Sequence, residues 1–324
     1  MAQRKALVVG INDYPISPLH GCVNDAVNIA SLLEKNEDGS PNFDIKLETS
    51  ISSKGHLKQC IQKLFKGTAD VALFYFSGHG FAEENEGYIV TPDFSEGDMG
   101  ISTTDILNMA NQSKIKNKII ILDSCFSGNL GRIGALNSTD SVIGEGVTIM
   151  TASSEDEVSI ESDGQGLFTS LFMQALKGYA STITGDVTPA GIYSFIDQAL
   201  GSWSQRPIFK TNTKSFYYLR RVTPKVELPT LRKIKEYFMD ENSEFKLDPS
   251  FEFTNDPTAK HEIKVPYAND KNVNKFKDLQ LYQKVGLVEP VNAEYMYFAA
   301  MESESCRLTS LGKRYFKLSK EGKI

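Results

Sequence analysis

The stretch that most constrains the fold is Ile119-Ile120-Ile121-Leu122, followed by Asp123-Ser124-Cys125-Phe126-Ser127-Gly128. Four apolar residues, three of them β-branched, predict a buried strand. The strand runs into a polar turn that carries a thiol. Sites in α/β proteins form where the carboxyl ends of the strands meet. The pattern therefore predicts an α/β fold with Cys125 at the edge of the sheet where chemistry takes place.

The rest of the first two thirds of the chain alternates between strand and helix patterns. Further strands are predicted at 5–10, 44–49, 71–76, 147–152 and 216–219, with helical spacing of apolar residues between most of them. Such alternation implies a mostly parallel sheet covered on both faces. We predict a six-stranded, three-layer sandwich over residues 1–222. Its loops include 82–100, with a short hairpin at 88–91, and 127–146.

A second domain is predicted over 223–324, because prolines at 224 and 229 interrupt the pattern. Beyond them we predict helices at 230–239 and 273–285, short strands at 287–291 and 295–301, and a last helix that begins at Thr309. Helices followed by a pair of strands and a terminal helix are typical of a small winged-helix-type α+β domain.

Length and charge limit the classes of function. The chain has 324 residues, which is enough for two domains, and a net charge of −6. Residues 225–324 carry +1, so 1–224 carry −7 and are not expected to bind nucleic acid. No apolar run approaches the ~20 residues that span a membrane. The start of the chain leads directly into a strand without a signal-peptide pattern, so a cytoplasmic location is expected.

The four cysteines and four histidines are spread along the chain. They form no CxxC pair and no Cys/His cluster with zinc spacing, so no metal site is predicted. Cys60 and Cys306 are interpreted as packing residues. His20 and His56 are interpreted as structural or solvated.

His79 is the histidine placed for catalysis. It follows the strand 71–76 and lies between Gly78 and Gly80. Neighbouring parallel strands end about 5 Å apart, so His79 and Cys125 can form a Cys–His dyad. The amides of Gly80 and Cys125 are candidate donors to a developing oxyanion. The alternative is a buried histidine and an inert cysteine.

These residues carry a resemblance. Ser77-Gly78-His79-Gly80 and Asp123–Gly128 resemble the two catalytic signatures of the caspase–metacaspase family of cysteine peptidases. The stretches 5–14, 19–26, 166–169 and 205–207 also resemble family segments, in the family's order, and the resemblance ends near residue 222. It implies a caspase-like fold, with Cys125 as the nucleophile, His79 as general base and acid, and the amides of Gly80 and Cys125 as the oxyanion hole.

The resemblance also implies a specificity. Asp25 and Asp123 match the acids that line the primary pocket of metacaspase-like members, and Ser153 matches the loop that forms the pocket wall. Two carboxylates attract Arg or Lys and repel Asp. Cleavage after Arg, with Lys second, is therefore expected. The alternative for Asp25 is a charge at a helix N-terminus.

Two further expectations concern loops. Arg132 is the only basic residue of 127–146, which makes it a candidate autocleavage site. Some metacaspases need calcium, and the acids near the expected cleft would suit it. They lack EF-hand spacing, so we interpret them as solvated loop acids and predict no cofactor. These acids are Asp93, Glu96, Asp98, Asp156, Glu157, Glu161 and Asp163.

The sequence thus predicts a cysteine endopeptidase that acts on protein substrates with Arg or Lys at the cleaved bond. We expect it to be activated by a signal, or by a protein partner that binds the C-terminal domain. The alternative is a catalytically idle caspase fold that serves as an adaptor, or as a DNA-linked regulator through that domain.

Overall fold

The computed structural model describes residues 3–83, 86–124, 126–127, 143–152, 167–200 and 206–324; for 126 and 127 it describes the backbone alone. The chain divides into two compact units, Met1–Thr223 and Pro224–Ile324. Among the described residues, no helix is both long and apolar enough to cross a membrane.

The first unit is built on a six-stranded sheet. Its strands, in spatial order, are β11 (Ile208–Asn212), β9 (Val147–Thr151), β7 (Asn117–Asp123), β3 (Val71–Ser77), β1 (Arg4–Gly10) and β2 (Asp44–Glu48). All neighbours are parallel except β11, which runs antiparallel to β9. The predicted six-stranded, mostly parallel α/β sheet is therefore confirmed.

Helices cover both faces of this sheet. They are α1 (Cys22–Glu34), α2 (Lys54–Phe65), α3 (Thr103–Asn111), α4 (Leu167–Gln174), which continues into a π-helical turn (Ala175–Tyr179), and α5 (Pro189–Ala199). Helices α2 and α3 pack on one face and α1, α4 and α5 on the other. Successive side chains of a strand point to opposite faces. Ile120 and Leu122 accordingly pack under α2 and α3, whereas Ile119 and Ile121 face the other layer.

The strand that carries the Asp-Ser-Cys turn lies deep in this structure. Residues 119–122 are at most 2% exposed, and each such aliphatic side chain contributes roughly 1.5–3 kcal/mol on burial. Strands β1, β3 and β7 are in register, with Gly10 beside Ser77 and Ser77 beside Asp123. Three strand ends thus meet at one level on the carboxyl edge of the sheet.

The sixth strand is not the one that the sequence predicts. Residues 216–219 were predicted as a strand, but they form an irregular segment across the end of the sheet. Leu219 is buried in the core and the hydroxyl of Tyr217 lies 2.6 Å from that of Thr148. The segment has the apolar composition of a strand because its side chains cover the sheet. The strand is Ile208–Asn212, at an edge and only partly buried.

A second, smaller sheet replaces most of the loop predicted over 82–100. Strands β4 (Gly80–Glu83), β5 (Glu86–Ser95) and β6 (Asp98–Ser102) form antiparallel pairs, and β8 (Phe126–Ser127) runs parallel to β4. The predicted hairpin therefore extends over 80–102. Its polar and acidic side chains gave it the composition of a loop, because half of each strand faces solvent.

The second unit, all of which the structure describes, contains five helices and three strands. The helices are α6 (Leu228–Arg232), α7 (Ile234–Tyr237), α8 (Asp270–Lys284), α9 (Met296–Met301) and α10 (Ser310–Lys320), with a 3-10 turn at Pro249–Phe251. Strands β13 (Glu244–Lys246), β14 (Val288–Val291) and β15 (Ser305–Leu308) form an antiparallel sheet with β15 in the middle. The first unit also contains two short antiparallel strands of two residues each, β10 (Asp186–Val187) and β12 (Arg220–Arg221).

One prediction for the second unit was wrong. The aromatic run at 295–301 was predicted as a strand, but it forms α9. Met296, Ala299 and Ala300 are buried at helical spacing, and this 3.6-residue period outweighs the β-propensity of the aromatic residues. The winged-helix assignment stays a prediction.

Candidate active site

His79 lies directly after β3, in a turn that requires glycine. A Cβ at Gly78 would stand 2.5 Å from the hydroxyl oxygen of Tyr14 and 2.8 Å from the ring of Phe76. The Tyr14 hydroxyl accepts a hydrogen bond from the His79 amide at 3.0 Å and donates one to the Val90 carbonyl at 3.3 Å. Tyr14 therefore fixes the backbone that carries the histidine.

The imidazole of His79 is half-buried and held in one orientation. Its Nε2 lies 2.6 Å from the carbonyl oxygen of Ser17, and its ring contacts that of Tyr14 with 4.6 Å between centroids. A carbonyl oxygen only accepts, so Nε2 carries the hydrogen. In the neutral ring Nδ1 is then the basic nitrogen. A fixed tautomer of this kind suits a general base.

The backbone on both sides of position 125 pairs with the backbone on both sides of His79. The Gly78 amide donates to the Asp123 carbonyl at 3.4 Å, and Gly80 pairs with Phe126 between β4 and β8. Gly80 itself is buried at the start of β4. Cys125 lies outside the described residues. The pairing nevertheless brings the two segments predicted to hold the dyad side by side.

Asp123 ends β7 on the opposite face of the sheet. Its Oδ2 accepts a short hydrogen bond from the Thr169 hydroxyl and one from the Tyr75 hydroxyl at 3.4 Å. The Tyr75 and Thr169 hydroxyls also lie 2.6 Å apart, and both residues are fully buried. Burial raises the pKa of Asp123 to about 6, although the two hydrogen bonds lower it.

Asp25 belongs to the same region. It lies in the first turn of α1, as the helix-charge alternative also predicts, and is 3% exposed. Burial, and then the charges of Asp123 and Asp25, raise the pKa of Tyr75 well above its usual value. Both carboxylates therefore act on one phenol. A Cβ at Gly10 would lie 2.3 Å from the Cys22 carbonyl, so glycine allows α1 to begin this close to β1.

The structure thus brings His79, Gly80, Asp123 and Asp25 to one edge of the sheet. Arg132 and Ser153, like Cys125, lie outside the described residues. Sequence reasoning missed the parts played by Ser17, Tyr14, Tyr75 and Thr169. Tyr14 and Thr169 fall in stretches that carried the resemblance, which was a usable signal. A backbone carbonyl such as that of Ser17 leaves no signal in a sequence.

The described loop acids do not present an open cluster for calcium. Asp93 accepts hydrogen bonds from the Lys54 amide and the Thr91 hydroxyl, and Asp98 forms an ion pair with the Lys54 ammonium at 2.5 Å. Residues 156–163 lie outside the described part of the chain.

Comparison with known proteins identifies the family. The family model for the caspase domain matches residues 3–217. Metacaspase-1B of Aspergillus niger is 27% identical over a 207-position alignment that covers 57% of this chain and 46% of that protein. Metacaspase-9 of Arabidopsis thaliana is 30% identical over a 152-position alignment that covers 40% of this chain and 44% of that protein. The chain spans about half the length of the curated relatives it matches.

A solved structure supports the fold alone. Protein GSU0716 from Geobacter sulfurreducens is 14% identical and superposes with a TM-score of 0.50 over 68% of this chain and 98% of that one. Because the family model covers more than half of the chain, the protein belongs to the caspase-domain family of cysteine peptidases, and the two relatives described above are metacaspases.

Proposed function

We propose that the protein is a cysteine endopeptidase that cleaves protein substrates after Arg, with Lys second. The observation that carries the proposal is the backbone pairing around the dyad. The Gly78 amide donates a hydrogen bond to the Asp123 carbonyl, and Gly80 pairs with Phe126, so the segments that hold His79 and Cys125 are neighbours. Besides burial, the charges of Asp123, at the end of β7, and of Asp25, on α1, both raise the pKa of Tyr75, so the two acids belong to one region.

The first chemical step is acylation. His79 Nδ1 takes the proton of the Cys125 thiol, and the thiolate attacks the carbonyl carbon of the scissile bond. The negative charge that develops on the carbonyl oxygen is stabilised by the amides of Gly80 and Cys125. The C–N bond then breaks, and His79 returns the proton to the leaving amine. The product is a thioester on Cys125.

The second step is hydrolysis of that thioester. His79 Nδ1 takes a proton from water, which attacks the acyl carbon, and the C–S bond breaks. The acid product leaves and the thiol is restored. The Ser17 carbonyl supports both steps, because it holds Nε2–H and stabilises the imidazolium that forms each time.

Specificity is assigned to the other face of the strand ends. A guanidinium or ammonium group beside the carboxylates of Asp25 and Asp123 gains charge-assisted hydrogen bonds in a partly buried site. Arg fits two carboxylates better than Lys because its planar fork offers several donors at once. An Asp side chain at this position is repelled. Ser153 is proposed to contact the substrate in the same pocket.

Control of the activity is assigned to two other regions. Arg132 is proposed as a self-cleavage site, since it offers the preferred side chain. The second unit, Pro224–Ile324, is proposed to bind a protein activator, and its near-neutral charge favours a protein over nucleic acid. A cytoplasmic location remains our expectation.

Fluorogenic peptide amides test the proposal. The full chain and its Cys125→Ala variant are compared on peptides that end in Arg, Lys or Asp, without and with calcium and candidate protein partners. We expect hydrolysis in the order Arg, Lys, Asp, and none by Cys125→Ala. Preference for Asp over Arg contradicts the pocket. Equal activity of the variant contradicts Cys125 as the nucleophile, and no turnover under any condition favours the idle adaptor.

Self-cleavage is tested separately by mass spectrometry of the stored protein. We expect a cut after Arg132 that disappears in both Arg132→Gln and Cys125→Ala. The same cut in the Cys125→Ala protein would assign it to another protease.

A further inference from the structure

Three side chains of classes that bind transition metals converge where β2 ends against α2. Glu48 is the last residue of β2, and His56 and Cys60 lie one turn apart on α2. One ligand atom from each lies within 4.8 Å of the other two. Residues four apart on a helix share a face, so the histidine and the cysteine both point towards the strand.

We propose that Glu48, His56 and Cys60 bind a divalent transition cation of the zinc class, with a fourth position open to solvent. Three protein ligands with an open fourth position form one of the two common arrangements of zinc sites. Thiolate and imidazole are soft and borderline ligands, which favour zinc over calcium or magnesium.

The distances are close to those of a loaded site. Zinc bonds of 2.0–2.3 Å at tetrahedral angles place ligand atoms about 3.4–3.6 Å apart. Cys60 Sγ lies 3.9 Å from Glu48 Oε1, so this pair needs to move by only a few tenths of an ångström. The remaining separations, at most 4.8 Å, close by roughly 1 Å through side-chain rotation.

A positive charge already lies against two of the three ligands. The Lys46 ammonium lies 2.8 Å from Glu48 Oε1 and 3.2 Å from Cys60 Sγ. The alternative interpretation is a surface ion pair between Lys46 and Glu48, with His56 and Cys60 nearby by chance. However, Cys60 is 3% exposed and the Glu48 side chain only 18%, so the donors are held in a partly buried recess. Lys46 is half-exposed and can swing out to solvent.

Binding is therefore an exchange of cations. The Cys60 thiol loses its proton to solvent, and the sulfur forms a bond to the metal. The Lys46 ammonium leaves the recess and is hydrated. Glu48 and the imidazole of His56 supply the other two bonds. Because the ligands come from β2 and α2, a bound ion ties the edge strand to its covering helix.

This site is separate from the proposed peptidase site. Glu48 is in register with Val9 of β1, and Val9 with Phe76 of β3. Two strand spacings, about 10 Å, therefore separate the end of β2 from the strand that leads to His79. The sequence spacing predicted no metal site, because the third donor comes from a different element of the fold.

Cobalt(II) is the probe for the site, because its bonds to thiolate are visible in absorption. The titration uses the full chain with Cys125→Ala, which removes the competing thiol of the peptidase site. We expect one equivalent of Co²⁺ to produce a thiolate charge-transfer band with tetrahedral d–d bands, and Zn²⁺ to displace it. Cys60→Ser removes the charge-transfer band. His56→Ala, at a half-buried position, weakens the affinity for Co²⁺ by at least about 10-fold, because the loss of a residue that only hydrogen-bonds to a metal ligand already has an effect of that size.

Matched controls lie outside the cluster. Cys22→Ser and His261→Ala, in the same background, are expected to bind Co²⁺ as before. The proposal is overturned if the background protein gives no charge-transfer band, if Cys60→Ser keeps it, or if Cys22→Ser loses it. Should Cys60→Ser not fold, unchanged affinity in His56→Ala overturns the proposal equally.

Lys46 provides a test in the opposite direction. Lys46→Met removes the competing cation and leaves the three ligands, so we expect about 10-fold tighter binding, because like charges near a surface repel. Unchanged or weaker binding would show that Lys46 does not occupy the metal's position.

Discussion

The two faces of the central sheet carry different parts of the proposed reaction. On the face under α2 and α3, Tyr14 packs into the core and fixes His79. On the face under α1 and α4, Tyr75 and Thr169 hold Asp123. Neighbouring strand ends can supply residues to both faces, because successive side chains of a strand point to opposite faces. Chemistry and specificity are therefore expected to respond to separate substitutions.

The largest expected effect is on the chemical face. His79→Ala removes the general base, and we expect kcat to fall by about 10²–10⁴-fold. The ratio of kcat/KM for an Arg peptide to that for its norleucine analogue should remain as in the wild type. Steady-state kinetics with this pair of substrates gives both quantities. A large fall in that ratio would show that the two faces are not separable.

The second effect belongs to the specificity face. Asp123→Asn keeps the shape and removes one charge, so we expect the preference for Arg over norleucine to fall by roughly 10²-fold, the cost of losing one partner of a buried charge pair. The rate at which iodoacetamide alkylates Cys125 should not change. Slower alkylation would link Asp123 to the reactivity of the thiol.

The third effect is a pH dependence of the preference for the Arg peptide over its norleucine analogue. Because the pKa of Asp123 is raised to about 6, the carboxyl is largely ionised at pH 7 and mostly protonated at pH 5. The preference for Arg should therefore fall by up to about 10-fold between pH 7 and pH 5. Protonation of the dyad affects both substrates alike and cancels in their ratio.

Thr169→Val is the control for that dependence. The Thr169 hydrogen bond lowers the pKa of Asp123, so its loss should move the fall in Arg preference to higher pH. A fall that stays in place, or moves to lower pH, would contradict the assignment of the titration to Asp123.

The smallest expected effect concerns Tyr14. Tyr14→Phe removes the acceptor of the His79 amide, and a lost hydrogen bond of about 1 kcal/mol corresponds to a roughly five-fold lower kcat. The Arg preference should be unchanged, as measured with the same two substrates. A variant that loses the preference for Arg but keeps kcat would show that Tyr14 acts on specificity and not on the chemical step.

Sequence patterns predicted the central strands because continuous burial demands continuous apolar runs. They found the edge strand β2 but failed at the opposite edge, where Ile208–Asn212 is partly exposed, and over 80–102, where polar alternate with apolar side chains. At the site, His79 and Asp123 stood at predicted strand ends. The role of Tyr75 was hidden, because its apolar ring fits the strand pattern while its hydroxyl reaches Asp123.

The most direct measurement is to map where an Arg-directed electrophile reacts. A peptidyl-Arg acyloxymethyl ketone loses its carboxylate when a thiolate attacks, and leaves a thioether that peptide mass spectrometry locates. The account predicts one adduct per chain, on Cys125, with much slower labelling in His79→Ala and slower labelling by an Asp-directed probe. Labelling of Cys22 or Cys60 at the same rate, or faster labelling by the Asp-directed probe, would contradict it.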